Sequence, residues 1–269
     1  MTVQLTDKEF SRFREFIHNS AGIHLSPSKK NLICSRLAKR LNHFGYANYT
    51  QYLDLIGGRD GGGEVQIAID LLTTNETFFF RESKHFEQLR LLAGAVRASA
   101  RSEPVRVWSA ACSSGEEPYS IAMVLAETLG EKPWEVVGTD ISTRVLARAR
   151  RGHYPVERAQ HVPAAFLERY CLKGIGQYDG TLLVSKPLRQ RVRFVHANLN
   201  VPLPDLGQFD CVFLRNVMIY FNNDTKRSVV ARVLERLRPG GLFCIGHSET
   251  LNEINTDVVQ VMPSIYRKP

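Results

Sequence analysis

The chain has no C-x-x-C pair, and its five cysteines, Cys34, Cys112, Cys171, Cys211 and Cys244, are scattered and odd in number. That pattern argues against a disulfide framework or a zinc site and suits a reducing compartment. No run of apolar residues approaches the length of a membrane span, and the opening segment MTVQLTDKEF lacks the apolar core of a signal peptide. A cytoplasmic protein without direct membrane insertion is therefore expected. The eight histidines show no ligand spacing, so no metal is expected, and neither a nucleophile elbow nor a P-loop is present. Repeats are absent as well. What remains is an ordinary globular composition, 43% apolar over 269 residues, enough for one large domain or two smaller ones. The net charge of +8 favours an acidic partner surface, either nucleic acid or an acidic protein.

Residues 1–72 read as helical. Thr6 with Glu9 three residues later forms a capping box, and Phe10, Phe13, Phe16 and Ile17 follow at helical spacing. Ser28 opens a second helix with Leu32, Ile33, Leu37, Leu41 and Phe44 on one face, closed by Gly45. A third helix spans Tyr49 to Ile56, and after the flexible loop GGRDGGG a fourth covers VQIAIDLLT. Residues 73–83 act as a linker to a larger unit, 84–269, in which helices alternate with the strand candidates VRVWSA, WEVVGTD, VRFVHA, FDCVFLRN and GLFCIGH. Alternation of this kind predicts an open, mostly parallel α/β sheet that binds ligands at the carboxyl ends of its strands. Residues 166–195, with glycines at 174, 176 and 180, interrupt it as a small antiparallel β insertion.

At those carboxyl ends lie SSGEE, Asp140, Ala197–Leu199 and Arg215–Asn216. The turn after the first strand is the wrong kind for a phosphate. A single glycine, Gly115, is followed at once by Glu116 and Glu117 at the start of a helix. Two acids there suit the helix dipole as ordinary capping residues, but they also repel phosphate and attract a cation. S-adenosylmethionine is an adenosine cofactor with no phosphate and two positive groups, and Asp140 sits where an acid commonly holds ribose hydroxyls.

Three further segments stand out. In TTNETFFFRES (73–83), Arg81 follows three phenylalanines at the domain junction; it is either a structural cation stacked on a ring or a cleft residue. In FLRNVMIYF, Arg215 and Asn216 end a strand, with Asn216 as a potential helix cap and Tyr220 one turn further on. This segment is not the Asp/Asn-Pro-Pro-aromatic box of a nucleic-acid amino-methyltransferase. The second helix carries Lys29, Lys30, Arg36, Lys39 and Arg40 opposite its apolar face, with no acid between residues 16 and 53. It is either a solvated face or a surface for an acidic helical partner or a phosphate backbone.

Together TTNETFFFRE, WSAACSSGEEPYSIA, VVGTDIS, ANL, FDCVFLRNVMIYF and LRPGGLFCIGHSE closely resemble the chemotaxis receptor methyltransferases, the CheR family, over nearly the whole chain. The resemblance implies a Rossmann-like S-adenosylmethionine-dependent methyltransferase sheet with an all-helical N-terminal domain. It also implies transfer of a methyl group to glutamate side chains on the helical cytoplasmic domain of chemoreceptors, leaving S-adenosylhomocysteine. By matching motifs the cofactor contacts are Asn75, Thr77, Arg81, Glu117, Asp140, Asn198, Leu199, Arg215 and Asn216, with Arg81 and Tyr220 beside the transferred methyl. Substrate recognition falls to Lys29, Arg36, Lys39 and Arg40, and to the insertion around Gly174 and Gly176, which resembles a subdomain that docks on a receptor C-terminal peptide in some members. The sequence departs slightly at Cys112-Ser113-Ser114, where Ser-Thr is usual, and at Asn222, where Asp is common. A nucleic-acid methyltransferase and a non-catalytic cofactor-binding module are the competing readings.

Overall fold

The computed structural model describes residues 3–255 and 257–269, the side chain of residue 60 excepted; residues 1 and 2 of the expected helical domain lie outside the described residues. Four helices come first: α1 (Asp7–Ala21), α2 (Lys30–Phe44), α3 (Tyr49–Gly57) and α4 (Gly62–Leu72). The capping box forms. Thr6 Oγ1 accepts from the Glu9 N–H at 3.2 Å, and Glu9 Oε2 accepts from the Thr6 N–H at 2.9 Å. Glu9 also accepts from the N–H and hydroxyl of Thr50, tying α1 to the first turn of α3. Replacing Thr6 by alanine removes one side of this box and should cost about 1 kcal/mol, seen as a fall of about 2–4 °C in the melting temperature. An unchanged melting curve would show that the box contributes nothing.

The second helix begins two residues later than Ser28 suggests. Pro27–Lys29 form a 3-10 turn, and Gly45 closes α2 in the left-handed conformation.

After α5 (Lys84–Ala98) the chain alternates: β1 (Val105–Ser109), α6 (Glu116–Leu129), β2 (Trp134–Asp140) and α7 (Thr143–Arg151). The insertion follows, comprising β3 (His153–Pro155), α8 (Ala164–Tyr170), β4 (Cys171–Lys173), β5 (Thr181–Val184) and the short α9 (Lys186–Arg189). The main sheet resumes with β6 (Val192–His196), β7 (Phe209–Leu214), α10 (Asn223–Leu234), β8 (Leu237–Ile245), β9 (Val259–Met262) and β10 (Ile265–Arg267). Its order is β6-β2-β1-β7-β8-β10-β9, parallel from β6 to β8 and antiparallel at β10 and β9. Asn222 caps α10 by accepting from the Thr225 N–H at 2.8 Å, so the amide does there what an aspartate would.

The start of the insertion changes: it lies at His153 rather than 166, because β3 pairs with β5. Val192–His196 joins the parallel sheet beside β2, where the strand candidate VRFVHA places it. The two C-terminal antiparallel strands were not anticipated.

Apolar contacts join the two parts. One hydrophobic cluster runs from Phe13, Ile17, Leu37 and Tyr52 of the helical domain to Trp108, Val212 and Phe243 on one face of the sheet. The other face packs against α5, α6 and the insertion through Phe86, Leu125, Val136 and Val184. Asp70 at the end of α4 accepts from the N–H groups of Thr143 and Arg144, capping α7 across the domain boundary. No helix among the described residues is long and apolar enough to cross a membrane.

Candidate functional site

The carboxyl ends of β1, β2, β6 and β7 open into a cleft whose remaining walls are the 73–81 linker and the end of α1. Its empty volume is about 860 Å³ including the mouth, within the range of small-molecule sites. Asn75, Thr77, Arg81, Glu117, Asp140, Asn198, Leu199, Arg215, Asn216 and Tyr220 all line it. Ala21 and Ile23 of the helical domain line it too, as do Ala110, Ala111 and Ser113 of the turn after β1. Of these five only Ser113, within SSGEE, was singled out from the sequence, because small or apolar side chains carry no chemical signature.

Arg215 organises the floor. Its side chain is 1% exposed and pairs with Glu117 at 2.7 Å and with Glu82 at 3.0 Å, between the rings of Phe86 and Phe213. It also donates to the Arg81 carbonyl. Glu117 accepts a further bond from Ser109 Oγ at 2.6 Å. Burial pushes the Glu117 carboxyl above its usual range, with Arg215 opposing. For Glu82, burial also acts against ionisation, but Arg215 and the His247 N–H together outweigh it and the carboxyl ends below its usual range. One guanidinium thus serves two carboxyls, and the excess of acid over base beside Glu117 favours a cationic ligand there.

Asp140 is held on both oxygens, by the N–H of Ser113 and the N–H of Ser142, each at 2.9 Å. Burial raises its pKa and these two donors oppose the rise. Each oxygen keeps a lone pair, so the carboxyl can still accept from a diol. Gly115 is left-handed, and a Cβ there would come within 2.8 Å of both Ala149 Cβ and the Tyr154 hydroxyl. Close packing, not a phosphate, requires that glycine. The donors and acids present fit a cationic adenosine ligand and oppose a pyrophosphate.

The left-handed backbone is concentrated here. Ser113 and Asn216 in the wall, and Phe80 and Glu82 on either side of Arg81, all have positive φ, a cost of about 1–3 kcal/mol each that accumulates at functional sites. Asn216 is therefore not a helix cap. Glu249 holds its backbone by accepting from the Asn216 N–H at 2.9 Å and the Gly246 N–H at 2.7 Å. Glu82 and Glu249 were not picked out individually in the sequence, although each lies within a segment quoted there, TTNETFFFRES and LRPGGLFCIGHSE.

Arg81 differs from Arg215. It is half-buried, donates to the Glu76 carbonyl at 3.3 Å and lies over the Phe78 ring at 5.6 Å. Asn198 donates to the Ser20 carbonyl at 2.7 Å, fastening the cleft to the end of α1. Tyr220 accepts from the His24 N–H through its carbonyl at 2.7 Å.

Lys29, Arg36, Lys39, Arg40, Gly174 and Gly176 lie outside the cleft wall. The picture of α2 as an uncompensated cationic face needs correcting. Arg40 pairs with Glu64 at 2.5 Å, Lys30 with Asp7 at 2.8 Å, and Arg36 is bound to carbonyls. These acids lie outside the acid-free stretch in sequence but fold back against it. Lys29 and Lys39 are exposed, with no ion pair among the described residues. At Gly174 a Cβ would lie 1.9 Å from the Tyr178 carbonyl oxygen, so the turn itself demands glycine.

Glu82, His85 and His247 bring three potential ligand atoms within 4.8 Å of one another. The carboxylate there already has a cation in Arg215, and burial together with that charge pushes His85 down to about 3. We do not read this cluster as a metal site.

Residues 8–73 match the family described as CheR methyltransferase, all-alpha domain, and residues 75–267 match CheR methyltransferase, SAM binding domain. The chain is 42% identical to a chemotaxis protein methyltransferase of Escherichia coli strain K12, covering 93% of this chain and 87% of that protein. It is 41% identical to chemotaxis protein methyltransferase 2 of Pseudomonas aeruginosa, covering 97% and 93%, and 37% identical to a chemotaxis protein methyltransferase of Borreliella burgdorferi, covering 100% and 96%.

Proposed function

The chain belongs to the CheR family of S-adenosylmethionine-dependent methyltransferases that serve chemotaxis, and from that premise we propose that it esterifies glutamate side chains on the cytoplasmic helices of chemoreceptors. The observation that carries the reading is the contrast between the two arginines of the cleft. Arg215 is committed to Glu117 and Glu82, whereas Arg81 has one long bond to a neutral carbonyl and lines the cavity. Arg81 is thus the cation available to an incoming carboxylate.

A glutamate side chain, with a reference pKa of about 4.3, is already an anionic nucleophile at neutral pH. No general base is needed, which accounts for a cleft without a histidine pair. S-adenosylmethionine supplies, when bound, a methyl group on a positively charged sulfur. Glu117 and Asp140 would hold it, Glu117 by charge and Asp140 by accepting from the ribose, with Asn75, Thr77, Asn198, Leu199, Arg215 and Asn216 completing the wall. Arg81 would orient the acceptor carboxylate through its planar fork without protonating it. The Tyr220 ring would close that side against water. The task of these residues is chiefly positioning.

On the receptor side, Lys29 and Lys39 and the turn around Gly174 and Gly176 remain the surfaces we assign to substrate docking, the turn to a receptor C-terminal peptide. The setting is the cytoplasm, where such receptor helices are found. The test is transfer of labelled methyl to a receptor cytoplasmic fragment followed by mild alkali. A glutamate methyl ester releases its label as methanol. Label that stays on the protein, or that enters added oligonucleotide, would overturn the glutamate assignment.

A further inference from the structure

On the other side of the linker from the cofactor cleft, a second pocket is lined by four arginines: Arg36 of α2, Arg144 and Arg148 of α7, and Arg158. Thr73, Thr74, Asn75 and Glu76 form a wall common to this pocket and the cofactor cleft. Three of the guanidinium groups donate to backbone carbonyls. Arg36 reaches Leu72 and Thr73, both at 2.9 Å, Arg144 reaches Asp70 at 3.0 Å, and Arg158 reaches Thr77 at 2.7 Å. A carbonyl satisfies a donor but does not cancel its charge. Among the described residues the one acid paired with the group is Glu116, 3.4 Å from Arg158, a buried carboxyl whose pKa burial raises; Glu76, exposed in the shared wall, is the acid of the lining.

The cluster is not explained by helix stability. Cations in the last turn of α7 suit the helix dipole, but Arg144 lies in its first turn, where positive charge is disfavoured. The side chain of Arg148, exposed one turn further on, has no hydrogen bond or ion pair among the described residues. Burial, with the nearby Arg144, holds the Arg36 guanidinium below its ordinary value. The wall Thr73–Glu76 is common to both, so the positive pocket and the cofactor cleft are close neighbours.

We propose that this pocket seats a second acidic side chain of the substrate helix, so that the enzyme reads an acid near the glutamate it modifies. The inference rests on the proposed glutamate-bearing substrate. Planar guanidinium forks match carboxylates in geometry, and two acids one to two turns apart on a helix are separated by about 5–11 Å along its axis, a span suited to adjoining pockets.

The test uses Arg148→Glu, a change at an exposed side chain outside the cleft, with a melting curve to verify the fold. Methylation of a receptor cytoplasmic fragment should show KM raised about tenfold, with saturating kcat and S-adenosylmethionine affinity unchanged. In parallel, binding of an amidated helical peptide with glutamates at i, i+4 and i+7 is followed by fluorescence anisotropy. The variant should bind about tenfold more weakly. Exchanging the flanking glutamates for glutamine should weaken the wild type but leave the variant unaffected. Equal KM and equal peptide affinity in the two proteins would overturn the proposal, as would a glutamine penalty of the same size in both. Inorganic phosphate binding that depends on Arg148, with peptide binding that does not, would also overturn it. If the receptor fragment takes up no label while the peptide still separates the two proteins, the receptor reading fails and the acid-binding pocket stands.

Discussion

Arg215→Ala is expected to lower the melting temperature by about 10 °C. Removing one partner of a buried ion pair costs about 3–5 kcal/mol, because the remaining charge stays buried without compensation, and a chain of this size loses about 2–4 °C per kcal/mol. Here two carboxyls, Glu117 and Glu82, lose the same partner, and the Arg81 carbonyl loses a donor. Both carboxyls would then respond by taking up protons, with folded-state pKa values above the unfolded ones. Stability in such a case is retained below the unfolded pKa and lost as pH rises through the folded one. The deficit against wild type should therefore narrow as the pH is lowered toward the ordinary carboxyl range. Differential scanning calorimetry at several pH values checks this. A shift below about 3 °C, or a deficit that does not vary with pH, would show that Arg215 is not the counter-charge of the floor.

The second large effect is on turnover. Arg81→Ala should lower kcat/KM for the receptor by about 100- to 1000-fold, the scale of losing a positioning cation at a reacting centre. The melting temperature should stay within about 2 °C, since the side chain makes only one 3.3 Å bond and a ring contact. Arg81→Lys keeps the charge without the fork and should recover part of the loss. Near-normal turnover in the alanine variant, measured by labelled methyl transfer, would remove the role assigned to Arg81. The pair of variants thus separates a cation that holds the cleft together from one that works within it.

Much of this architecture was legible in one dimension because its signals are local. The capping box at Thr6 and Glu9, the left-handed stop at Gly45, and the apolar runs of β1, β2 and β7 each declare themselves within a few residues. The convergence of SSGEE, Asp140, Ala197–Leu199 and Arg215–Asn216 followed from the rule for open parallel sheets. What escaped is long-range. Arg40 meets Glu64 across 24 residues and Arg215 meets Glu82 across 133, so an acid-free stretch looked bare when its counter-charges were supplied by another helix. Asp70 gave no hint that it caps α7. The strand at His153–Pro155 is three residues long and takes its identity from pairing with β5. The terminal strands β9 and β10 are only four and three residues long, and Val259 and Val261 are exposed, so no buried face supports the brief alternation of VQVM.

The route of the cleft wall through the chain bears on how separable the two domains are. Ala21 and Ile23 come from the first helix and its exit, Asn75 to Arg81 from the linker, and the rest from four strand ends. The apolar cluster beneath crosses the same boundary. Cutting the gene at the linker would therefore not release a self-sufficient catalytic module. A fragment starting at residue 84 would keep its strands but lose one side of its binding cleft and expose the apolar surface that the helices cover. The helical domain is a structural component of the catalytic unit, and any exchange of substrate specificity by domain grafting would have to carry the 73–83 segment along and preserve the bonds linking Ser20, Gln66 and Asp70 to Asn198, Ile141 and Thr143.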